Sequence, residues 1–173
     1  MKKVLAICGS TRERSSNLQL IEAIKASYET QLEINLSANI GTLPQFNPDD
    51  LGEPGEAVSL FRQQINNADG VLICTPEYAM GVPGALKNAI DWTVSTCEFS
   101  NKPVALITAS TLGEKGHRAL LNTLEVIEAD IAELLISYIQ TKVKQGQVTD
   151  EATNEQIMAL MDSFMNKMNA HDS

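Results

Sequence analysis

Short apolar runs alternate with longer segments of helical periodicity along most of this chain. Three runs, 4–8, 70–74 and 103–109, are apolar almost without interruption. Runs of this kind are typical of strands that are covered on both faces in a parallel sheet. The segment 32–36 instead places apolar residues at alternate positions, which predicts an edge strand with one covered face. A fifth strand is predicted within 132–139.

Helical periodicity fills the segments between these strands. Apolar residues recur every three or four positions over 17–30, 57–68, 83–96 and 120–127. A last helix is predicted from about residue 149 or 153, with an apolar face that covers the sheet beside the fifth strand. That face consists of Ile157, Leu160, Met161, Phe164 and Met168.

The alternation of strands and helices predicts an α/β fold with a doubly wound five-stranded parallel sheet and helices on both faces. We expect the strand order 2-1-3-4-5. This order has its switch point between strands 1 and 3, so the loops after strands 1, 3 and 4 converge. Ligands in open α/β sheets bind at this edge, and these three loops have unusual compositions.

The composition and the net charge of the chain argue against several classes of function. The chain has 173 residues, 43% hydrophobic content and a net charge of −9, which together predict one globular domain over 1–173. An acidic chain without a Lys/Arg cluster is not expected to bind nucleic acid. No apolar run approaches the ~18 residues of a membrane span. The three cysteines lack metal-site spacing, so no metal is expected, and the cytoplasm is the predicted compartment.

The loop over 9–17 reads Gly-Ser-Thr-Arg-Glu-Arg-Ser-Ser-Asn and leads into the first helix. Hydroxyl groups, an arginine and free amides at a helix N-terminus suit a phosphate dianion. The loop has neither the lysine of a Walker motif nor the glycines of a dinucleotide-binding loop, so a terminal monophosphate fits it better. A plain N-cap is the alternative interpretation, since Ser and Asn are the usual cap residues.

The loop over 76–83 carries little acid–base chemistry. Glu77 and Tyr78 are the only polar side chains between its two prolines. Both histidines, His117 and His171, are predicted to have surface roles outside the site. A phosphate-binding loop beside a segment with few acid–base groups indicates that a bound cofactor carries the reaction.

Two motifs resemble those of the NADPH-dependent FMN reductase family, the flavodoxin-like flavin, quinone and azo-dye reductases. They are Gly-Ser-x-Arg-x-x-Ser-x-Asn at 9–17 and Pro-Glu-Tyr-x-x-x-x-Pro-Gly-x-Leu-Lys-Asn-Ala-Ile-Asp-Trp at 76–92. By this resemblance the FMN phosphate is held by Ser10, Arg12, Ser15, Ser16 and Asn17. The isoalloxazine ring lies along Pro76, Glu77, Tyr78, Ala79 and Met80, mainly through backbone groups, and Ser110 closes the other side. Relatives usually carry Asn in place of Ala79.

The resemblance implies an FMN-dependent NAD(P)H oxidoreductase that reduces a small acceptor such as a quinone, a free flavin or an azo compound. It also implies a homodimer or homotetramer, with 43–51 and 84–92 expected at the pairing surface. Trp92 is either part of that surface or an ordinary core residue. Two other functions stay open: an FMN electron carrier without a nicotinamide site, and a regulatory or structural relative that binds no flavin.

Overall fold

Residues 1–171 are described by a computed structural model, and they contain one five-stranded sheet in which all neighbouring strands are parallel. Across the sheet the strands follow the order 2-1-3-4-5, so the predicted order is confirmed. In chain order they are β1 (Lys2–Cys8), β2 (Leu32–Leu36), β3 (Gly70–Thr75), β4 (Pro103–Ser110) and β5 (Asp130–Ser137).

Helices cover both faces of this sheet, as a doubly wound fold requires. Helices α1, α5 and α6 contribute to the core cluster on one face, and α2, α3 and α4 contribute to the cluster on the other. Among residues 1–171, no helix combines the length and apolar character needed to cross a membrane. The helices are α1 (Ser16–Ser27), α2 (Glu56–Asn66), α3 (Gly84–Val94), α4 (Glu114–Val126), α5 (Ile139–Lys142) and α6 (Glu151–Ala170).

The predicted apolar face of α6 is confirmed. All five residues of that face are at most 5% exposed and belong to the same core cluster as the apolar side chains of α1. Phe164 and Met168 lie against Gly70, the first residue of β3. The C-terminal end of α6 therefore lies at the amino edge of the sheet, and its N-terminal end points toward the carboxyl edge.

Two features of the fold differ from the prediction. Leu36, which alternation placed on the covered face of β2, is 42% exposed, because the strand ends beside an open cavity of about 180 Å³ that Leu36 lines. The segment after β5 forms α5 and then a small hairpin of β6 (Val143–Lys144) and β7 (Gln147–Val148). Two-residue strands have no periodicity, so the sequence pattern could not predict this hairpin.

Trp92 belongs to the core. Its side chain is 1% exposed and its indole N–H donates to the carbonyl of Pro44 at 2.9 Å. The ring of Phe46 packs edge-on against it, with ring centroids 5.2 Å apart. Trp92 therefore anchors the segment 43–51 to α3 within the chain, and the core interpretation of this residue is the correct one.

Candidate active site

The loop after β1 passes very close to the end of β3. A Cβ atom at Gly9 would lie 2.2 Å from the hydroxyl oxygen of Thr75, so a glycine is needed at this crossing. The Gly9 N–H also donates to the carbonyl of Cys74 at 2.8 Å. These contacts hold the start of the loop beside the carboxyl end of β3.

The N-terminus of α1 uses part of this loop for its own stability. Ser15 is the N-cap, and its Oγ accepts a hydrogen bond from the N–H of Leu18 at 3.0 Å, so the N-cap interpretation holds for this residue. Asn17 is 3% exposed, and its Nδ2 donates to the carbonyl of Ala109 on β4 at 3.0 Å. The Oδ1 of Asn17 is buried and has no hydrogen-bond partner in the described part of the chain. The Ser15 hydroxyl therefore already accepts a hydrogen bond from the helix, whereas the Oδ1 of Asn17 accepts none from residues 1–171.

Two arginines of the loop have guanidinium groups without partners in the described part of the chain. Arg12 and Arg14 are exposed, and neither guanidinium group makes a hydrogen bond or an ion pair within residues 1–171. The chain has 22 acidic and 13 basic residues. Because acidic residues are in excess, composition alone would not lead us to expect two arginines without an ion-pair partner among residues 1–171. Their position beside the free amides of α1 makes this end of the sheet suitable for an anion.

A cleft of about 420 Å³ lies over the carboxyl edge of the sheet, which is the size of a small-ligand site. Nine of the eleven residues that sequence reasoning assigned to cofactor binding line it. The two that do not are Ala79 and Met80, which lie farther along the loop after β3. The nine are Ser10, Arg12, Ser15, Ser16, Asn17, Pro76, Glu77, Tyr78 and Ser110.

Five further residues that line the cleft were not assigned to it from the sequence: Arg14, Ala109, Thr111, Ile139 and Gln140. Arg14 lies in the same loop as Arg12, and Ala109 and Thr111 flank the predicted Ser110. Ile139 and Gln140 belong to α5, which follows β5. The parallel strands all end at the same edge of the sheet. The location of these two residues directly after the fifth strand could therefore have predicted that they lie at the cleft.

The loop after β3 folds into a tight hairpin turn. Tyr78 and Gly81 exchange two backbone hydrogen bonds, of 3.1 and 2.9 Å. Between them, Ala79 and Met80 both have positive φ angles, of 50° and 62°. A turn with positive φ at both central positions favours Asn-Gly, and other residues cost about 1–2 kcal/mol each. The turn is therefore strained, and contacts elsewhere must hold it.

Glu77 provides one of these contacts. Its Oε2 accepts a hydrogen bond of 2.6 Å from the N–H of Gly116, in the first turn of α4. A Cβ at Gly116 would lie 2.9 Å from the carbonyl oxygen of Gly81 and 3.0 Å from the Cγ of Glu77, so α4 approaches the turn closely only because residue 116 is glycine. The loop after β3 and the start of α4 thus form one unit.

Tyr78 connects this unit to the loop after β1. Its hydroxyl lies 3.4 Å from the Oγ of Ser10 on the opposite side of the cleft, and its side chain is about half exposed. The three loops that were predicted to converge therefore touch one another through side chains. The cleft between them has a wall with one proline and one aromatic ring, at Pro76 and Tyr78, and a polar end at the arginines.

The histidines lie outside the cleft, as predicted, but the predicted surface role of His117 is wrong. Its side chain is only 12% exposed, and its ring nitrogens lie 2.8 Å from the Thr108 hydroxyl and 2.7 Å from the Glu133 carboxylate. It therefore connects α4 to β4 and β5. His171 is more exposed and lies 3.7 Å from Asp130.

These residues fit FMN. The hydroxyl groups, the amides of α1 and the two unpaired guanidinium groups form a donor set that matches a phosphate dianion. The Oδ1 of Asn17 needs a donor that residues 1–171 do not supply. The wall at Pro76 and Tyr78 can lie against a planar ring. Among the described residues that line the cleft there is no lysine or histidine.

Residues 2–134 match the family model for NADPH-dependent FMN reductase. The chain belongs to that family. It is 38% identical over 166 residues to an NAD(P)H-dependent FMN reductase of Pseudomonas aeruginosa, covering 90% of this chain and 89% of the relative. A quinone reductase of Escherichia coli strain K12 is 32% identical over 175 residues, covering 94% and 93% of the two chains.

Among solved structures, the chain is similar to the NAD(P)H:(acceptor) oxidoreductase FerB of Paracoccus denitrificans, with a TM-score of 0.86 and 31% identity over 99% of both chains. The predicted family and the flavodoxin-like fold are confirmed. Membership also confirms the predicted class of enzyme, an FMN-dependent NAD(P)H oxidoreductase.

Proposed function

We propose that the cleft at the carboxyl edge binds FMN with its phosphate against 9–17, and that the chain reduces quinones with electrons from NAD(P)H. The residues of 9–17 and 76–80 would hold FMN, which would supply the hydride-transfer chemistry between the nicotinamide and the acceptor. The observation that carries this proposal is the cleft itself, in which two arginines without a partner in the described residues lie among hydroxyl and amide donors. NADPH and NADH are both candidate donors.

In this proposal each of the three loops has a separate task. The hydroxyls of Ser10 and Ser16 and the guanidinium group of Arg12 bind the phosphate, and Arg14 adds positive charge at the same end. Backbone groups of 76–80 orient the ring, and Ser110 closes the other side. Contacts between the loops position Ser10 and the segment 76–80 before the cofactor arrives.

We further propose that no ionisable side chain acts as an essential general acid or base. Glu77 uses its carboxylate to bind the N–H of Gly116, and both ring nitrogens of His117 are occupied on the far side of β4. The chain then contributes binding and orientation, while the cofactor supplies the redox chemistry. Tyr78→Phe should accordingly keep measurable turnover.

The choice of a quinone as the acceptor is supported by two relatives. One is the quinone reductase of Escherichia coli, and another is a 2-hydroxy-1,4-benzoquinone reductase of a Burkholderia species, 29% identical over 172 residues. The wall at Pro76 and Tyr78 leaves the cleft open to a small planar molecule. Azo compounds and free flavins are alternative acceptors of similar shape.

The test combines flavin binding with turnover. Titration of the purified chain into FMN should quench flavin fluorescence and give a saturating dissociation constant. With FMN bound, NADPH and 1,4-benzoquinone should give steady consumption of many equivalents of NADPH. A single reduction without steady turnover would indicate the electron carrier instead, and a lack of FMN binding would contradict the proposal altogether.

We also propose that the whole chain acts as one domain, in the cytoplasm, as a homodimer or homotetramer. Large apolar side chains are exposed in the segments after β3, β4 and β5, at Met80, Leu112 and Tyr138, and a second copy would cover such a surface. All three cysteines are free, as is usual in a reducing compartment. Sedimentation over a range of concentrations, with activity measured alongside, tests the assembly.

A further inference from the structure

We propose that Glu77 is a positioning residue: its carboxylate latches the strained 78–81 turn onto α4 and so holds the Tyr78 wall of the cleft in place. The turn is strained because Ala79 and Met80 have positive φ angles that neither side chain favours. Its own two hydrogen bonds, between Tyr78 and Gly81, are the only ones that it makes internally.

Three contacts join this turn to α4. The Glu77 carboxylate accepts the 2.6 Å hydrogen bond from Gly116, which is 39 residues away in the chain. The carbonyl of Gly81 lies close enough to Gly116 to exclude a Cβ atom there. The Nζ of Lys115 lies 3.2 Å from the Sδ of Met80. Of these, only the Glu77 contact joins a charged group to a backbone amide, which makes it the strongest.

The latch also explains why Glu77 carries a carboxylate at a position that lines the cleft. A carboxylate near a phosphate site is unfavourable for binding an anion. At the first turn of α4, however, it lies at the end of the helix where backbone N–H groups are free and negative charge is stabilising. The helix therefore offsets the charge, and the loop gains a fixed position against it.

Amide hydrogen exchange of the full-length chain without FMN tests the latch directly. In Glu77→Ala the amide of Gly116 should exchange faster, because it loses its acceptor. The amides of Tyr78 and Gly81 should also exchange about tenfold to a hundredfold faster, the range that follows from losing one hydrogen bond to a charged group. If Gly116 alone changes, Glu77 is merely a helix cap and the latch is wrong.

Two further variants make this result specific. Glu77→Gln keeps an oxygen that can accept from Gly116, so it should retain most of the protection at Tyr78 and Gly81. Adding Met80→Gly to Glu77→Ala should restore protection, because glycine adopts the positive φ without strain. Faster exchange that Met80→Gly does not reverse would overturn the link between the latch and the strained turn.

The matched control is Glu114→Gln. Glu114 is exposed in the same first turn of α4, so this variant removes the same charge from the same helix end without touching the turn. It should leave exchange at Tyr78 and Gly81 unchanged. Equal effects of Glu77→Ala and Glu114→Gln would show that helix charge, and not the latch, holds the turn.

The consequence for FMN rests on the proposed function. With FMN, Glu77→Ala should raise the dissociation constant about tenfold, and Glu77→Ala with Met80→Gly should recover most of the loss. The exchange experiment needs no flavin, so it decides the latch even if the wild-type chain were to bind no FMN. Unchanged FMN affinity in a variant with a released turn would overturn the positioning role.

Discussion

The charged side chains at the two edges of the sheet differ in the contacts that they make within the protein. At the amino edge, charges are used by the fold. Lys102 donates to the carbonyl of Ala68 at 2.8 Å, Lys167 pairs with Asp130, and the carboxylate of Asp69 accepts from the backbone N–H of Lys3 at 2.7 Å. At the carboxyl edge, the guanidinium groups of Arg12 and Arg14 have no partner among residues 1–171.

The difference extends beyond charge. The carboxyl edge also has the Oδ1 of Asn17, which has no partner within 1–171, and the strained turn at Ala79 and Met80. A polar group that has no partner within the fold adds no stability to it. Such groups therefore indicate a place where a ligand can supply the partner. The comparison therefore predicts that substitutions of the unpaired arginines at the carboxyl edge change binding, while substitutions of the paired charges at the amino edge change stability.

The largest expected effect is that of Arg12→Ala on FMN binding. Losing a charged contact to phosphate should weaken binding by about 1.5–3 kcal/mol, which is roughly a tenfold to 150-fold rise in the dissociation constant. The free energy of unfolding without FMN should change by less than about 0.5 kcal/mol, because Arg12 has no partner in the fold. Fluorescence titration and urea unfolding measure the two quantities.

The control for Arg12→Ala is Lys25→Ala, which removes a positive charge from the opposite end of α1. It should leave the FMN dissociation constant unchanged. Should Arg12→Ala prove neutral for FMN while it lowers stability, the carboxyl edge would behave like the amino edge and the comparison would fail.

Gly116→Ala should have the next largest effect. Alanine in place of glycine inside a helix usually stabilises by about 0.5–1 kcal/mol. Here the new Cβ would meet the carbonyl oxygen of Gly81 at 2.9 Å, so we expect a loss of about 1–3 kcal/mol, the usual cost of overpacking. Urea unfolding without FMN measures it.

Gly84→Ala is the matched control, because Gly84 is the first residue of α3 and a Cβ there has nothing within 4 Å. It should be neutral or stabilising by up to about 1 kcal/mol. A gain in stability from Gly116→Ala would show that α4 and the turn can separate at no cost.

Much of this architecture could be predicted from the sequence because it depends on local pattern. The buried run of β1 and the helical spacing of Ile157 and Phe164 each reflect a period that a chain must follow to bury one face. Convergence of the loops then followed from topology alone. Nine of the eleven residues assigned to the site line the cleft for this reason.

What the sequence did not predict depends on distances between parts that are remote in the chain. Nothing local to Glu77 indicates that its partner is Gly116, and nothing local to Leu36 indicates that its strand ends beside a cavity. The strain at Ala79 follows from a turn whose usual Asn-Gly signal is absent. Tertiary contacts override local preference in each case, and they do so at the site.

Lys102→Ala tests the other edge. The Lys102 side chain is partly buried, and this burial is the main cause that lowers the pKa of its amino group. Its removal leaves the carbonyl of Ala68 without this donor and should lower the free energy of unfolding by about 1 kcal/mol. FMN affinity and turnover should stay the same. A change in FMN affinity would contradict the separation of the two edges.

The smallest expected effect is that of Asp150→Ala, a substitution at the carboxyl edge of a carboxylate that already has partners within the protein. Asp150 is the N-cap of α6, and its Oδ2 accepts from the hydroxyl and the backbone N–H of Thr153 at 2.6 and 2.9 Å. The hydrogen bond from the Thr153 hydroxyl is the main cause that lowers the pKa of Asp150 below its ordinary value, followed by the Thr153 amide. Asp150 should therefore affect stability and not FMN binding, unlike Arg12 at the same edge.

The sign of the pH dependence follows from the lowered pKa of Asp150. The unfolded chain binds the proton more readily, so the ionised cap stabilises the fold above the unfolded pKa, and this contribution is lost as pH falls through the folded pKa. The stability difference between the wild type and Asp150→Ala should hold steady above about pH 5 and shrink below about pH 4. Urea unfolding of both proteins at several pH values measures it. A difference that does not change with pH would mean that the charge of Asp150 adds nothing to the cap, and weaker FMN binding by Asp150→Ala would assign this residue to the site after all.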